Sequence, residues 1–110
     1  MVTPVKGAVV ILTFPFTNLT ASKRRPALVL TSASPNSVIV AQITSQAHND
    51  PYAIPIDHRS FAAGGIQRAS FINIRHIFTA HSNLIAYEAG HLRNDIVNEA
   101  IERLVAFLKR

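Results

Sequence analysis

Three cations stand directly before an apolar stretch and suggest that the chain handles an anion. Lys23, Arg24 and Arg25 are followed by Pro26 and then by the β-type segment 27–30. Pro26 favours an extended backbone at the residue before it and belongs at the first residue of a strand, so Arg25 is predicted to lie at a strand mouth. A cation held in this way loses less side-chain entropy on binding than one in a free loop. The sequence therefore predicts an anion-binding site near Arg25.

A hydroxyl residue is predicted to join these cations. The segments 27–31 and 38–43 are rich in β-branched and aliphatic residues, and Pro35-Asn36 between them is typical of a hairpin turn. In an antiparallel hairpin the start of one strand lies beside the end of the other. Arg25 and Thr44 are therefore expected at the same edge of the sheet.

The chemistry that suits this edge is phosphodiester cleavage. When RNA is split by its own 2′-hydroxyl, the protein needs only to stabilise charge on phosphorus and to assist two proton transfers. Arg25, Thr44 and Ser45 offer the charge and the hydroxyl donors for this reaction. The alternative is that the arginine only protects a strand edge by its charge.

Length and charge are consistent with one small basic domain. The chain has 110 residues, of which 48% are hydrophobic and 15% charged, so a single domain over residues 1–110 is expected. Eleven Lys and Arg against six Asp and Glu give a net charge of +5, which favours phosphate-rich partners. Many small soluble domains are also basic, so the net charge alone does not show that the protein binds nucleic acid, and the placement of the charges is the more informative observation.

Several functional classes are excluded or disfavoured. The absence of cysteine excludes a disulfide scaffold, a thiolate metal site and a cysteine nucleophile. No two of the five histidines have zinc-ligand spacing, and no nucleotide-binding loop or nucleophile elbow occurs, so we expect no metal and no cofactor. The apolar run 8–12 is too short for a signal peptide or a membrane span. We expect a cytoplasmic protein without a membrane partner.

The elements that position the site are predicted to be mainly strands with one C-terminal helix. Strands are predicted over 8–14, 27–31, 38–43 and 53–56, and the segment 66–78 is predicted to be a strand, a break and a strand. Gly90 is predicted to interrupt the segment before the helix, and Asn94 to cap it. The helix should pack its apolar stripe into the core; the stripe comprises Leu92, Ile96, Val97, Ala100, Ile101, Leu104, Val105 and Leu108.

The chain resembles the MazF/PemK family of toxin endoribonucleases over nearly its full length. The resemblance rests on three runs, residues 6–17, 22–30 and 40–45, which follow one another at intervals similar to those of the family. It continues through shorter matches at residues 64–66, 70–72, 77–79, 84–85 and 90–92 and through the final helix.

The resemblance implies an SH3-like antiparallel barrel with a C-terminal helix, and a homodimer. It also implies a metal-independent ribonuclease that cuts single-stranded RNA, leaves a 2′,3′-cyclic phosphate and thereby inhibits translation and growth. A cognate antitoxin with an acidic flexible segment is expected as partner. Arg25 and Thr44 match the family's catalytic residues. The substrate-binding residues are then expected to be Lys23, Arg24, Ser45, Ser70, Asn73, Arg75 and His76.

The chain departs from the family where acidic residues are usual. Ala8 follows Gly7 where the family usually has aspartate, and Asn73 and Arg75 stand where several members have an arginine and an acid. A proton acceptor is therefore missing, and His76 or His48 is the candidate substitute, because histidine titrates near neutral pH. The rival hypotheses are a barrel that binds nucleic acid or an antitoxin without cutting, and a barrel that binds only protein.

Overall fold

A curled antiparallel sheet of seven strands carries one C-terminal helix. The computed structural model describes residues 4–15, 22–46 and 49–110. The strands are β1 Ala8–Pro15, β2 Ser22–Ser34, β3 Ser37–Thr44, β4 Ile54–Ile56, β5 Phe61–Gly64, β6 Ser70–His81 and β7 Ile85–Leu92, and the helix is α1 Asn94–Lys109. The strand order is β4-β6-β3-β2-β1-β7-β5. This architecture confirms the predicted fold class.

Strand β1 is buried on both faces, as its apolar sequence predicted. Val9 belongs to one buried cluster, which also takes in Val97 of the helix. Val10 and Leu12 belong to a second cluster on the other face, because successive side chains of a strand point to opposite faces. A strand buried on both faces has no solvent side to make polar, which explains its continuous run of apolar residues.

The predicted hairpin forms about Pro35-Asn36, with Ser34 paired to Ser37. However, β2 is longer than predicted and contains Pro26 in its interior, opposite Ile11 of β1. The ladder between β2 and β3 begins only at Ala27, so on that side Pro26 lies at an open edge. A missing N–H group is tolerated at such an edge. The prediction that Pro26 begins the strand was wrong.

Strands β5 and β7 were not predicted. Strand β5 has only four residues, and in β7 small residues alternate with bulky ones, so neither has the continuous β-branched or aromatic run that marks a strand. Gly90 does not interrupt its segment but lies within β7, opposite Gly64 of β5. The predicted edge position of Pro55 is confirmed, since β4 is the last strand on its side of the sheet.

The predicted break in segment 66–78 is a bulge within one continuous strand. On β3, Ala41 pairs with Ile77 of β6, whereas the next residue, Gln42, pairs with Asn73. Residues 74–76 are therefore extra on β6, and an irregularity of this kind bends a strand and redirects its side chains.

The helix begins as predicted, but its cap differs. Arg93, and not Asn94, is the N-cap residue. Its guanidinium donates to both carboxylate oxygens of Asp95, with Nε–Oδ1 at 3.1 Å and Nη2–Oδ2 at 3.0 Å. This hydrogen-bonded pair lowers the pKa of Asp95 from its usual range and raises that of Arg93.

The apolar stripe of the helix lies partly outside the core. Val97 and Ala100 are buried, but Val105 and Leu108 are 42% and 65% exposed, so their prediction as core residues was wrong. The C-terminal half packs instead through Phe107, whose ring meets that of Tyr52 edge to face at 5.2 Å. In the described part of the chain, no helix has the length and apolar character needed to cross a membrane.

Candidate functional site

A groove opens where β2 and β3 stop pairing. Their ladder ends at Ala27 and Gln42, and beyond this point β2 pairs only with β1 while β3 pairs only with β6. The resulting cavity has a volume of about 1060 Å³. It is lined by Ile11, Lys23, Arg24, Arg25, Pro26, Ile43, Thr44, Ser45, Gln46, Gly65, Ile66, Gln67, Arg68, Ser70, Tyr87, Glu88 and Ala89. The structure thus brings together Arg25 and Thr44 as predicted.

Four cations line this groove and are available to a ligand. Lys23, Arg24 and Arg25 come from β2, and Arg68 comes from the loop before β6. None of the four takes part in an ion pair within residues 4–15, 22–46 and 49–110. Positive charges concentrated in one concave surface attract anions more strongly than the same charges scattered over the protein.

The hydroxyl of Thr44 is held by the backbone that follows it. Its Oγ1 accepts from the Gln46 N–H and also donates to the Gln46 carbonyl oxygen, both at 3.1 Å. This local turn fixes the side chain beside the groove. Because a hydroxyl has one proton but two lone pairs, Thr44 can still accept one further hydrogen bond, or can donate to a ligand by giving up the carbonyl.

Ser70 lines the groove but its proton is already engaged. The side chain is buried, and its Oγ donates to the carbonyl oxygen of Arg68 at 3.2 Å. Ser70 can still accept a hydrogen bond, but it can donate one to a phosphate only by giving up this carbonyl. Ser70 therefore positions the loop that carries Arg68.

The other end of this loop is held by strands β5 and β7. The N–H of Gly65 donates to the carbonyl oxygen of Ala89 at 3.2 Å, immediately after the Gly64–Gly90 pair. A Cβ atom at Gly90 would lie 2.4 Å from the carbonyl oxygen of Ala63, so the two backbones approach too closely for a side chain. The loop is thus held at one end by the Ser70 hydroxyl and at the other by backbone contacts.

Three predicted substrate-binding residues do not line the groove. Arg75 Nε contacts Asp50 Oδ1 at 3.2 Å, and His76 Nδ1 contacts Gln42 Oε1 at 3.1 Å. Asn73 Oδ1 is buried and has no hydrogen-bond partner in the described structure. All three lie at or beside the bulge of β6, where side chains are redirected. The structure therefore does not bring them together with Arg25.

Of the positions considered for the missing proton acceptor, the two that the structure describes do not supply one in the groove. Ala8 is fully buried in the core. His76 is engaged with Gln42 outside the groove, and His48 lies outside the described residues.

Arg68, Tyr87 and Glu88 line the groove but were not predicted as site residues from the sequence. Glu88 is the one carboxylate among the residues that the structure places along the groove. Arg68 stands two residues before Ser70, and Ser70 was predicted to bind the substrate. Its nearness to Ser70 in the sequence could therefore have identified Arg68 as a site residue. Tyr87 and Glu88 had no such signal, because they lie in a strand that was not predicted.

The described residues contain no group of three or more histidine, aspartate or glutamate side chains that could hold a metal ion. The expectation that the protein works without a metal remains a prediction.

The sequence and the fold match known proteins. The family model described as PemK-like, MazF-like toxin of type II toxin–antitoxin system matches residues 6–108. No curated protein is significantly similar to the chain in sequence.

Solved structures share the fold at low sequence identity. The Mycobacterium tuberculosis toxin MazF-mt6 superposes with a TM-score of 0.72 at 20% identity, over 93% of this chain and 96% of that one. A MazE–MazF structure from Deinococcus radiodurans gives 0.76 at 21% identity, over 96% of each chain. A mycobacterial endoribonuclease in complex with its cognate antitoxin gives 0.74 at 15% identity, over 99% and 96%.

Proposed function

Because the chain belongs to the PemK-like, MazF-like toxins of type II toxin–antitoxin systems, we propose that it is an endoribonuclease that cleaves single-stranded RNA in the groove beside Arg25. The observation that carries this proposal is that four cations, which form no ion pair within the described residues, line one open groove together with Thr44. The groove volume of about 1060 Å³ lies at the upper end of the range of about 300–1,000 Å³ that is usual for ligand sites.

The proposed reaction is an internal transfer at phosphorus. The 2′-oxygen attacks the adjacent phosphate, its bond to phosphorus forms as the bond to the 5′-oxygen breaks, and the products are a 2′,3′-cyclic phosphate and a 5′-hydroxyl. One proton leaves the 2′-hydroxyl and one is delivered to the departing 5′-oxygen. The nucleophile is part of the RNA, so the reaction requires neither a protein nucleophile nor a metal ion.

Arg25 and Thr44 have distinct roles in this proposal. Arg25 presents a planar set of N–H donors to the phosphate oxygens and stabilises the charge that develops there. Thr44, already oriented by the Gln46 backbone, positions the phosphate through its hydroxyl. Lys23, Arg24 and Arg68 bind neighbouring phosphates and supply affinity without base specificity.

The same cations suit a protein inhibitor. Antitoxins accompany structural relatives of the chain, in the mycobacterial and Deinococcus radiodurans complexes. An acidic flexible antitoxin segment lying across Lys23, Arg24 and Arg25 would neutralise the charges that RNA needs and block its path. We further propose, from family membership, that the toxin is a homodimer and acts in the cytoplasm on translated RNA.

A second candidate function is binding of RNA or an antitoxin without cleavage. The favouring observation is that two of the positions considered for a proton acceptor are unsuited to the task, since Ala8 is buried and His76 is engaged with Gln42. In this case the groove would bind RNA and release it intact.

The test replaces the proposed catalytic arginine. Arg25→Ala should lower the rate of RNA cleavage by about 100-fold or more, as expected for a donor that stabilises transition-state charge. The matched control is Arg59→Ala, which removes an arginine whose side chain is 82% exposed and lies outside the groove. A wild-type protein that binds RNA but does not cut it would favour the second candidate. Cleavage by Arg25→Ala at the wild-type rate would place catalysis elsewhere.

A further inference from the structure

The side of the groove formed by β7 differs in character from the cationic side. Tyr87 and Glu88 line it there, and Tyr87 is 53% exposed although it is a large aromatic residue. An exposed aromatic ring in a groove that suits RNA is a platform on which a base can stack. A carboxylate beside it repels phosphate but accepts hydrogen bonds from base edges.

Tyr87 and Glu88 are adjacent in sequence and both line the groove, in a part of β7 where the strand is irregular. On a regular strand, successive side chains point to opposite faces. On β7 the pairing to β1 shifts twice: Val9 and Val10 pair with Gly90 and Glu88, and Ile11 and Leu12 pair with Tyr87 and Ile85. Each shift leaves one extra residue, so irregularities flank Tyr87 and Glu88 on both sides. Such bulges redirect side chains and are common next to functional sites.

The charges give a bound strand a preferred orientation. Lys23, Arg24, Arg25 and Arg68 attract the phosphates, and Glu88 is the carboxylate among the described lining residues. A strand lying in the groove is most stable when its backbone follows the cations and a base is directed toward β7. In single-stranded RNA the Watson–Crick edge of that base is free for recognition.

We infer that Tyr87 and Glu88 form a nucleobase subsite that selects guanine; this inference rests on the proposed ribonuclease function. A carboxylate has two acceptor oxygens and no donor. Guanine presents two adjacent donors on its Watson–Crick edge, N1–H and the N2 amino group. In adenine, cytosine and uracil each donor of that edge stands next to an acceptor, which a carboxylate repels. Tyr87 stacks on the base plane and holds it at the carboxylate.

The inference predicts where specificity resides. The wild-type protein should cut a random-sequence RNA with guanine enriched at one fixed position relative to the cut. Inosine at that position lacks the N2 amino group and should lower kcat/KM about tenfold, as expected for loss of part of a bidentate contact. Tyr87→Phe should keep the preference, because the ring remains, whereas Tyr87→Ala should weaken binding to all sequences.

The decisive variant is Glu88→Gln, measured beside Glu102→Gln on the exposed face of the helix. Glu88→Gln should cut the guanosine substrate about tenfold more slowly, at the level that the wild type shows on the inosine substrate, and should no longer distinguish the two, while Glu102→Gln keeps the wild-type rate and preference. Wild-type cleavage without a guanine preference would overturn the subsite and leave the proposed function intact. A Glu88→Gln variant that slows every substrate equally would assign the carboxylate to proton transfer and also overturn it. Absence of both RNA cleavage and RNA binding in the wild type would overturn the proposed function and the subsite together.

Discussion

The close backbone contact at Gly90 allows a specific prediction about what holds the groove together. In Gly90→Ala, the new Cβ atom would lie 2.4 Å from the Ala63 carbonyl oxygen and 2.9 Å from the Gly65 nitrogen. Backbone atoms cannot rotate away, so β5 must move from β7. Forced overpacking costs about 1–3 kcal/mol and a lost hydrogen bond about 0.5–1.5 kcal/mol, which gives a decrease of about 1.5–4.5 kcal/mol in the free energy of unfolding.

Urea denaturation followed by circular dichroism measures this change as a lower midpoint at an unchanged slope. Gly65→Ala is the matched control, because a Cβ atom there would have no heavy atom within 4 Å. Its stability should stay within about 0.5 kcal/mol of wild type, or rise slightly as the unfolded chain loses freedom. Equal effects of the two substitutions would refute the claim that backbone contact at Gly90 anchors the loop.

Two further predictions concern the core and the partner. Ile72→Ala, at a fully buried position, should lower the free energy of unfolding by about 2–5 kcal/mol. Leu108→Ala, at a position 65% exposed, should change it by about 0.5 kcal/mol or less. Similar losses of stability for the two variants in urea denaturation would contradict the burial of Ile72 and the exposure of Leu108. An acidic antitoxin peptide should displace an uncleavable RNA from the protein, and the affinity of the peptide for the protein should fall as the salt concentration rises. Simultaneous binding of peptide and RNA in a fluorescence anisotropy titration would show that the peptide uses another surface.

The sequence predicted those strands and that helix whose residue pattern lies within one short segment of the chain. The β2–β3 hairpin has a turn dipeptide between apolar runs, and the helix has a periodic apolar stripe. The same local patterns also placed Arg25 beside Thr44, since a hairpin brings the start of one strand to the end of the other.

The parts that were missed depend on contacts between distant segments. The β5–β7 pair is built largely from small residues, whose strand conformation is imposed by the neighbouring strands and not by their own propensity. Tyr87 and Glu88 lie between two bulges of a strand that was not predicted, and a bulge arises from pairing register that no single segment encodes. Val105 was assigned to the core because helical spacing shows which residues share a face, but not where the sheet beneath that face ends.

The central claim is that RNA is cut in this groove by its own 2′-hydroxyl, without a metal ion. The most direct measurement compares two RNA oligonucleotides incubated with the protein and EDTA, identical except that one has a 2′-deoxy nucleotide on the 5′ side of the mapped cut. We expect cleavage of the all-ribose oligonucleotide to a 2′,3′-cyclic phosphate. We expect no cleavage at the deoxy position of the other oligonucleotide, because the 2′-hydroxyl nucleophile is absent there. Cleavage of both oligonucleotides at the same bond, or a strict requirement for a divalent metal, would contradict it.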